Sequence, residues 1–218
     1  MSPTKIKVIG FDLDQTLYPK SPEIDAAIQK YLYEKISELH KVSLAEAKKM
    51  FDELYRDGKG LGGTKTMMKI GFEAERAKNL VQEALENADI AKFLRPNPEV
   101  IDLLKRLKDK YIIDIITGSN LKNTSIKLAK LEIPTDLFSN IITSDQGSKS
   151  DLTLYKIWLS KYPDLKSENF LYVGDRVSSD YEKPKELGIK SILVNQKDTV
   201  PEIDCLQLPD LKSITTHF

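Results

Sequence analysis

Residues 5–17 read KIKVIGFDLDQTL, and this stretch decides the fold. It opens with an apolar run from Ile6 to Phe11, in which β-branched and aromatic residues predominate over a length typical of a buried strand. The run ends abruptly at Asp12 and Asp14. Because side chains at positions i and i+2 of a strand point to the same side, the two carboxylates are expected to lie close together where the strand ends.

Two carboxylates held that close repel each other, and one of them would normally take up a proton. A bound divalent cation removes this repulsion because it becomes the largest local charge. Carboxylates, carbonyls and water are the ligands that Mg²⁺ prefers, so Asp12 and Asp14 indicate a magnesium site. The alternative is that both acids only cap the following turn, where aspartate is common.

The overall composition is that of a globular chain with a balanced charge. The 218 residues suit one large domain or a core with a smaller inserted domain, and 40% of them are hydrophobic. Lys plus Arg and Asp plus Glu both number 33, which argues against a general nucleic-acid or membrane-surface binder. Cys205 is the single cysteine, so an intramolecular disulfide is excluded. With neither a signal peptide nor a bilayer-spanning stretch, we expect a cytoplasmic protein.

Residues 18–94 show helical periodicity without a strand signal. Apolar residues recur at helical spacing from Ile24 to Leu39, and Lys41 is expected to end that helix. Ser43, with Glu46 three residues later, predicts a capping box at the start of a second helix. Further helices are expected around residues 66–72 and 73–87.

From residue 95 onward, helices and strands alternate. Asn97 is expected to cap a helix that has Pro98 in its first turn. Alternation of this kind predicts a parallel sheet covered by helices on both faces, and the first strand joins that sheet across the helical insertion. The predicted fold class is therefore α/β: a Rossmann-like core, residues 1–17 and 95–218, with an inserted all-helical domain, residues 18–94. Strands are expected at 6–11, 111–116, 140–143, 170–173 and 190–194.

The residues that follow the predicted strands include most of the candidate site residues. In parallel sheets of this kind, ligands bind at the carboxyl ends of the strands. Acids, a hydroxyl group and a lysine therefore meet at one edge of the sheet. The first strand leads to Asp12 and Asp14, the second to Thr117 and Gly118, the third to Lys149, and the fourth to Asp175 with Asp180 five residues later.

Four motifs together resemble the signatures of the haloacid dehalogenase superfamily of hydrolases. Those signatures are D-x-D-x-T, a Thr or Ser after the second strand, a Lys, and G-D-x-x-x-x-D; here they read DLDQT, ITGS, Lys149 in SKSDLTLY, and GDRVSSD. The helical insertion falls where this superfamily carries a cap domain. Gln15 replaces the more common Gly or Asn, and the usual Pro does not follow Lys149, which leaves Lys156 as the alternative lysine.

The resemblance implies a Mg²⁺-dependent phosphatase that works through an aspartyl-phosphate intermediate. Asp12 would be the nucleophile, and Asp14 would protonate the leaving alcohol and then activate water. The metal would be held by Asp12, by the backbone carbonyl of Asp14 and by Asp175. Thr117, the N–H group of Gly118 and Lys149 would hold the phosphoryl oxygens, and Asp180 would orient a water molecule or Lys149.

Asp14 favours a phosphatase over a dehalogenase, because dehalogenases of the superfamily typically lack an Asp at this position. A phosphomutase of the β-phosphoglucomutase type shares every core residue and remains an alternative, as does a binding protein that kept the fold without turnover.

The expected partner is a small phosphorylated metabolite, a nucleotide or a sugar phosphate. The opening motif resembles that of pyrimidine 5′-nucleotidases. Cap residues 58–69 and Tyr18 are expected to contact the substrate.

Overall fold

The structure is a computed structural model, and it describes residues 6–19, 21–55, 62–88, 90–195 and 203–216. The chain forms two units, one from Met1–Lys20 and Leu94–Phe218 and the other from Ser21–Phe93. The first division therefore lies three residues beyond the expected end at residue 17. Tyr18, which follows the expected end, belongs to this unit because it is only 5% exposed and its hydroxyl donates a hydrogen bond to Asp14.

The first unit is an α/β unit built on a six-stranded sheet, so the predicted fold class is confirmed. All the strands pair in parallel, in the order β3-β2-β1-β4-β5-β6. The last strand, in the C-terminal part of the chain, is one that the sequence patterns did not predict. The strands are β1 Val8–Phe11, β2 Ile112–Ile116, β3 Ile141–Ile142, β4 Phe170–Gly174, β5 Lys190–Leu193 and β6 Leu206–Gln207.

Strands β1 and β4 form the centre of this sheet, and every residue of both strands is buried. Continuous apolar runs of this kind are typical of parallel strands covered on both faces. Gly10 of β1 is needed for the packing of one face: a Cβ atom there would lie 2.5 Å from Ile116 and 2.6 Å from the Trp158 ring. The indole of Trp158 packs in turn edge-on against Phe170 of β4.

A buried carboxylate joins β2 to its neighbours. Asp114 is 0% exposed, and its two oxygens accept hydrogen bonds from Trp158 Nε1 at 2.8 Å, from the Tyr162 hydroxyl at 2.7 Å and from the backbone N–H of Asn140 at 2.7 Å. A buried carboxylate is tolerated only when it is satisfied in this way. The network fixes the strand against the helix and the loop that flank it.

Helices cover the sheet of the α/β unit. Pro184, which cannot occupy a helix interior without cost, lies in the first turn of the short helix α8, and a π-helical segment, Val177–Glu182, precedes it. Asn97 caps α5 as predicted, because its side chain accepts from the Glu99 N–H. The helices are α5 Pro98–Lys108, α6 Leu121–Lys130, α7 Thr153–Ser160 and α8 Lys183–Glu186.

The second unit has its own apolar core, which includes Leu32, Phe51 and Leu80. Two local predictions are confirmed in it. Lys41, at φ 53°, ends the first helix, and Ser43 with Glu46 forms the capping box of the second. Within the described residues the elements of this unit are helices: α1 Pro22–His40, α2 Leu44–Asp52, α3 Gly63–Ile70, α4 Ala74–Asn87 and a 3₁₀ turn, Ile90–Phe93. Across the described ranges, no helix is long and apolar enough to cross a bilayer.

Candidate active site

The candidate site lies at the carboxyl edge of the sheet, between β1 and β4. The strand order changes direction there, and such a switch point is where parallel α/β sheets bind ligands. Asp12 directly follows β1, and its backbone N–H donates to the carbonyl of Val173 at 2.8 Å. Asp175 directly follows β4. The pairing of the two strands therefore places both acids at the same edge.

Lys149 joins Asp12 to Asp180. Its Nζ atom donates to Asp12 Oδ1 at 2.6 Å and to Asp180 Oδ1 at 2.9 Å, and it lies 5.2 Å from the centre of the Tyr172 ring. The side chains of all three charged residues are at most 10% exposed. Burial alone would lower the pKa of Lys149, but the charges of Asp12 and Asp180 outweigh it and raise that pKa above its ordinary value.

Two acids at this edge, Asp12 and Asp175, ionise less readily than aspartate in water. Burial raises the pKa of Asp12 to about 7; the charge of Lys149 opposes this shift, and the neighbouring carboxylates add to it. Burial likewise raises the pKa of Asp175 to about 6, against the opposing charge of Arg176. The region holds more negative charge than Lys149 alone can balance.

Asp180 is held by the backbone that follows β4. Its Oδ2 atom accepts from the N–H groups of Asp175 at 3.2 Å and Arg176 at 3.0 Å. The absence of a side chain at Gly174 makes this possible, because a Cβ atom there would lie 2.4 Å from the Cβ of Asp180. The π-helical segment that carries Asp180 therefore packs directly on the end of the strand. Both Asp180 oxygens have partners, which suits an orienting role.

The donor set fits a small divalent cation. Asp12, Asp175 and Asp180 each offer one carboxylate oxygen, and these atoms lie within 4.8 Å of one another. Oxygen donors of this kind suit Mg²⁺. Since Asp180 already accepts from Lys149 and from two backbone N–H groups, Asp12 and Asp175 are the residues with most to offer the ion.

Asp14 occupies a different environment from Asp12. Its Oδ1 atom accepts from the Tyr18 hydroxyl at 2.5 Å and from Lys127 Nζ at 2.5 Å, and its Oδ2 atom accepts from Ser119 Oγ at 2.6 Å. Burial opposes ionisation of Asp14. The charge of Lys127 and the three hydrogen bonds outweigh that effect and hold the pKa of Asp14 below its ordinary value.

Thr117 and Gly118 follow β2 at the same edge. Thr117 is fully buried, and its Oγ1 accepts from the N–H of Ser119 at 3.1 Å, so the hydroxyl shapes the turn that carries Ser119. Gly118 is exposed, and a Cβ atom at this position would meet nothing within 4 Å. Its backbone is therefore accessible from solvent at the end of the strand.

The remaining predicted residues fall in several places. Lys149 is buried among the acids, whereas Lys156 is exposed on α7. Tyr18, expected to contact the substrate, lies in the α/β unit, where its hydroxyl donates a hydrogen bond to Asp14. Of the cap residues 58–69, those at 58–61 lie outside the described residues.

Lys127 and Ser119 were missed as site residues. A signal for Lys127 was present in the sequence: Thr124, Lys127, Leu128 and Leu131 recur at the spacing i, i+3, i+4, i+7, and all of them are buried. A lysine on the inner face of a helix is uncommon unless it has a charged partner. Nothing local indicated that the partner would be Asp14, 113 residues away.

Known proteins are similar to this chain over most of its length. A model of the haloacid dehalogenase-like hydrolase family matches residues 9–194. The glyceraldehyde 3-phosphate phosphatase of Methanocaldococcus jannaschii is 29% identical over 197 residues, which cover 87% of this chain and 85% of that protein. The protein of the same name from Pyrococcus furiosus is 29% identical over 194 residues, covering 86% and 80%.

Solved structures share the fold. A haloacid dehalogenase-like hydrolase from Streptococcus pneumoniae superposes with a TM-score of 0.70 at 19% identity, covering 98% of each chain. A phosphatase of this family from Thermococcus onnurineus gives a TM-score of 0.64 at 20% identity, covering 97% of each chain. Because the family model spans most of the sequence, this chain belongs to the haloacid dehalogenase-like hydrolase family.

Proposed function

We propose that the protein is a Mg²⁺-dependent phosphatase that hydrolyses a small phosphate monoester through an aspartyl-phosphate intermediate on Asp12. The observation that carries the proposal is that two carboxylates only two residues apart have different hydrogen-bond partners. Asp12 is held by Lys149 in an acid-rich cluster, whereas Asp14 is held by Tyr18, Ser119 and Lys127. The proposal rests on this difference in partners, because without a bound metal the pKa of Asp12 is raised and that of Asp14 is lowered, the opposite of the order that a nucleophile and a general acid need. Mg²⁺ at the acid cluster would favour ionised Asp12, and the negative charge of a bound phosphoryl group would favour protonated Asp14.

In the first step, a carboxylate oxygen of Asp12 attacks phosphorus, and the bond between phosphorus and the ester oxygen breaks. Asp14 gives a proton to the departing alkoxide, which leaves as the alcohol. In the second step, Asp14 takes a proton from a water molecule as that water attacks the phosphoryl group on Asp12. As the water attacks, the bond between phosphorus and the Asp12 oxygen breaks and inorganic phosphate leaves, so that Asp12 is again a carboxylate and Asp14 is again protonated.

The other residues bind and orient. Lys149 would balance negative charge on the phosphoryl oxygens, and Asp180 keeps its ammonium group in place. Thr117 and the exposed backbone of Gly118 are proposed to hold the phosphoryl group at the end of β2. Asp12, Asp175 and the carbonyl of Asp14 would hold Mg²⁺. When bound, this ion would offset the charge of the acids and of the phosphoryl oxygens.

The substrate class follows from the relatives. Two curated proteins that match most of this chain are named glyceraldehyde 3-phosphate phosphatase. We therefore place small sugar phosphates, triose phosphates first, ahead of nucleotides as substrates. The exposed Gly118, where an added Cβ atom would meet nothing within 4 Å, leaves room for a small ester at the end of β2.

The test is phosphate release from p-nitrophenyl phosphate and from a panel containing glyceraldehyde 3-phosphate, other sugar phosphates and nucleoside 5′-monophosphates. Each assay is run with Mg²⁺, with EDTA, and with Asp12→Asn. We expect Mg²⁺-dependent release that Asp12→Asn reduces by at least about 10³-fold, because the nucleophile is removed. Asp102→Asn, on the exposed face of α5, is the matched control and should behave as the wild type.

Two outcomes would replace the proposal. Isomerisation of a sugar phosphate with little phosphate release would identify a phosphomutase. Binding of Mg²⁺ and phosphate esters without turnover of any ester would identify a non-catalytic binding protein.

A further inference from the structure

Lys127 is a buried lysine that the haloacid dehalogenase motifs quoted above do not include. It lies on the inner face of α6, and only 5% of its side chain is exposed. Nζ lies 2.5 Å from Asp14 Oδ1 and 2.8 Å from Ser119 Oγ. Burying an ammonium group costs several kcal/mol unless a carboxylate and further acceptors compensate for the lost water. The fold therefore tolerates this buried lysine on α6 because the Asp14 carboxylate lies within hydrogen-bond distance of its ammonium group.

Ser119 completes a closed set of contacts. Its hydroxyl accepts from Lys127 and donates to Asp14 Oδ2 at 2.6 Å. The two carboxylate oxygens of Asp14 are thus held from two directions, by donors on α6 and on the loop after β2. A carboxylate with both oxygens anchored cannot rotate about its last torsion without breaking a charged hydrogen bond.

The anchored group is partly exposed and lies close enough to Asp12 and Asp175 for its charge to raise their pKa values. The side chain of Asp14 is 25% exposed, compared with 5% for Lys127. Lys127 therefore lies behind Asp14, on its buried side, while part of the carboxylate remains open. Such an arrangement supports a group that must meet a reacting atom from a defined direction, and fixed geometry is a large part of what catalytic groups need.

We propose that Lys127, together with Ser119, is a positioning residue that holds the Asp14 carboxylate for proton transfer to the leaving oxygen. This inference rests on the proposed phosphatase function. It assigns Lys127 no contact with the substrate. Its effect passes through Asp14, and it therefore matters most where the leaving oxygen most needs a proton.

The test is the dependence of kcat/KM on the leaving group, measured with a series of ring-substituted phenyl phosphates and one alkyl phosphate. This parameter reports the steps up to departure of the alcohol and excludes hydrolysis of the intermediate. In Lys127→Met, which keeps the chain length and removes the charge, kcat/KM should fall about 10²-fold for the alkyl ester. For p-nitrophenyl phosphate, whose leaving group needs no proton, it should change by less than about 3-fold.

Two further variants complete the design. Lys130→Met removes an exposed lysine from the same helix and should show the same dependence of kcat/KM on the leaving group as the wild type. Ser119→Ala removes one anchor of Asp14 and should steepen the dependence in the same direction, to a smaller extent. This variant carries the test if Lys127→Met fails to fold, as judged by circular dichroism and Tm.

The outcomes separate the two proposals. If a variant lowers kcat/KM by the same factor for every ester, the positioning role is overturned, because a structural defect lowers every rate alike. Values of kcat/KM in the Lys127 and Ser119 variants that equal those of the wild type for every ester would overturn it as well. A wild-type protein that hydrolyses no ester would instead overturn the phosphatase function, and the positioning role with it.

Discussion

Gln15, in the loop after β1 (Val8–Phe11), has an unusual backbone conformation beside the candidate site. Gln15 adopts a left-handed conformation, with φ 61°, one residue after Asp14. Side chains other than glycine and asparagine enter this region at a cost. The Gly or Asn that commonly occupies this position in the family thus has a conformational explanation, and Gln15 is tolerated with some strain.

Replacing Gln15 by Asn should stabilise the folded protein by about 0.5 kcal/mol, since asparagine enters the left-handed region several-fold more often. Gln15→Val should destabilise it by about 1 kcal/mol or more, because a β-branched residue is disfavoured there. Urea unfolding of both variants would measure these changes. Equal stability of the two variants would show that the backbone relaxes out of this conformation.

At the level of elements, the π-helical segment Val177–Glu182 packs directly against the end of β4 (Phe170–Gly174). Gly174 leaves room for Asp180, whose carboxylate accepts hydrogen bonds from two backbone N–H groups and from Lys149. The lysine is thereby aimed at Asp12. The close approach of the segment to the strand end sets the geometry of the site.

Gly174→Ala should therefore displace Asp180 and, through it, Lys149. A displacement of about 1 Å can cost about 10²-fold in rate, and we expect a loss of that order in kcat. Phosphate release from p-nitrophenyl phosphate with Mg²⁺ would measure it, alongside Tm. Ser178→Ala, at an exposed position in the same segment, should retain full activity. Wild-type kcat in Gly174→Ala would show that the lysine does not depend on this contact.

For the molecule as a whole, the acid cluster links stability to pH. The folded-state pKa values of Asp12 and Asp175, about 7 and about 6, lie above the value of about 3.9 for an unfolded aspartate. The folded protein thus binds more protons than the unfolded chain between those values. It follows that the free energy of unfolding decreases as pH rises from about 4 to about 7 in the absence of divalent metal. The lowered pKa of Asp14 acts only at lower pH, where stability is lost as pH falls.

Thermal unfolding in EDTA should accordingly show a Tm that decreases from about pH 5 to about pH 8. Added Mg²⁺ should raise Tm, and by more at the alkaline end, because ionised carboxylates bind the ion and binding to the folded state stabilises it. Asp175→Asn should flatten the slope and remove most of the Mg²⁺ effect. A Tm that is insensitive to Mg²⁺ at about pH 8 would argue against a cation at this cluster.

Local patterns in the sequence were enough to predict much of this protein. The apolar run before Asp12 predicted β1, and the Ser43–Glu46 box and the Asn97 cap predicted two helix starts, because each depends on residues within six positions of one another. The alternation of helices and strands predicted the parallel sheet. The catalytic roles inferred from the motifs stay predictions until the variants are assayed.

What only the tertiary structure decided were contacts between distant side chains. Lys127 meets Asp14 across 113 positions, and Trp158 meets Asp114 across 44. The short strand β6 (Leu206–Gln207) likewise exists through its pairing with β5 (Lys190–Leu193) and has no local signal. A buried charge or a two-residue strand gains its stability from partners that the fold brings close, so no window of sequence can contain the physical reason for it.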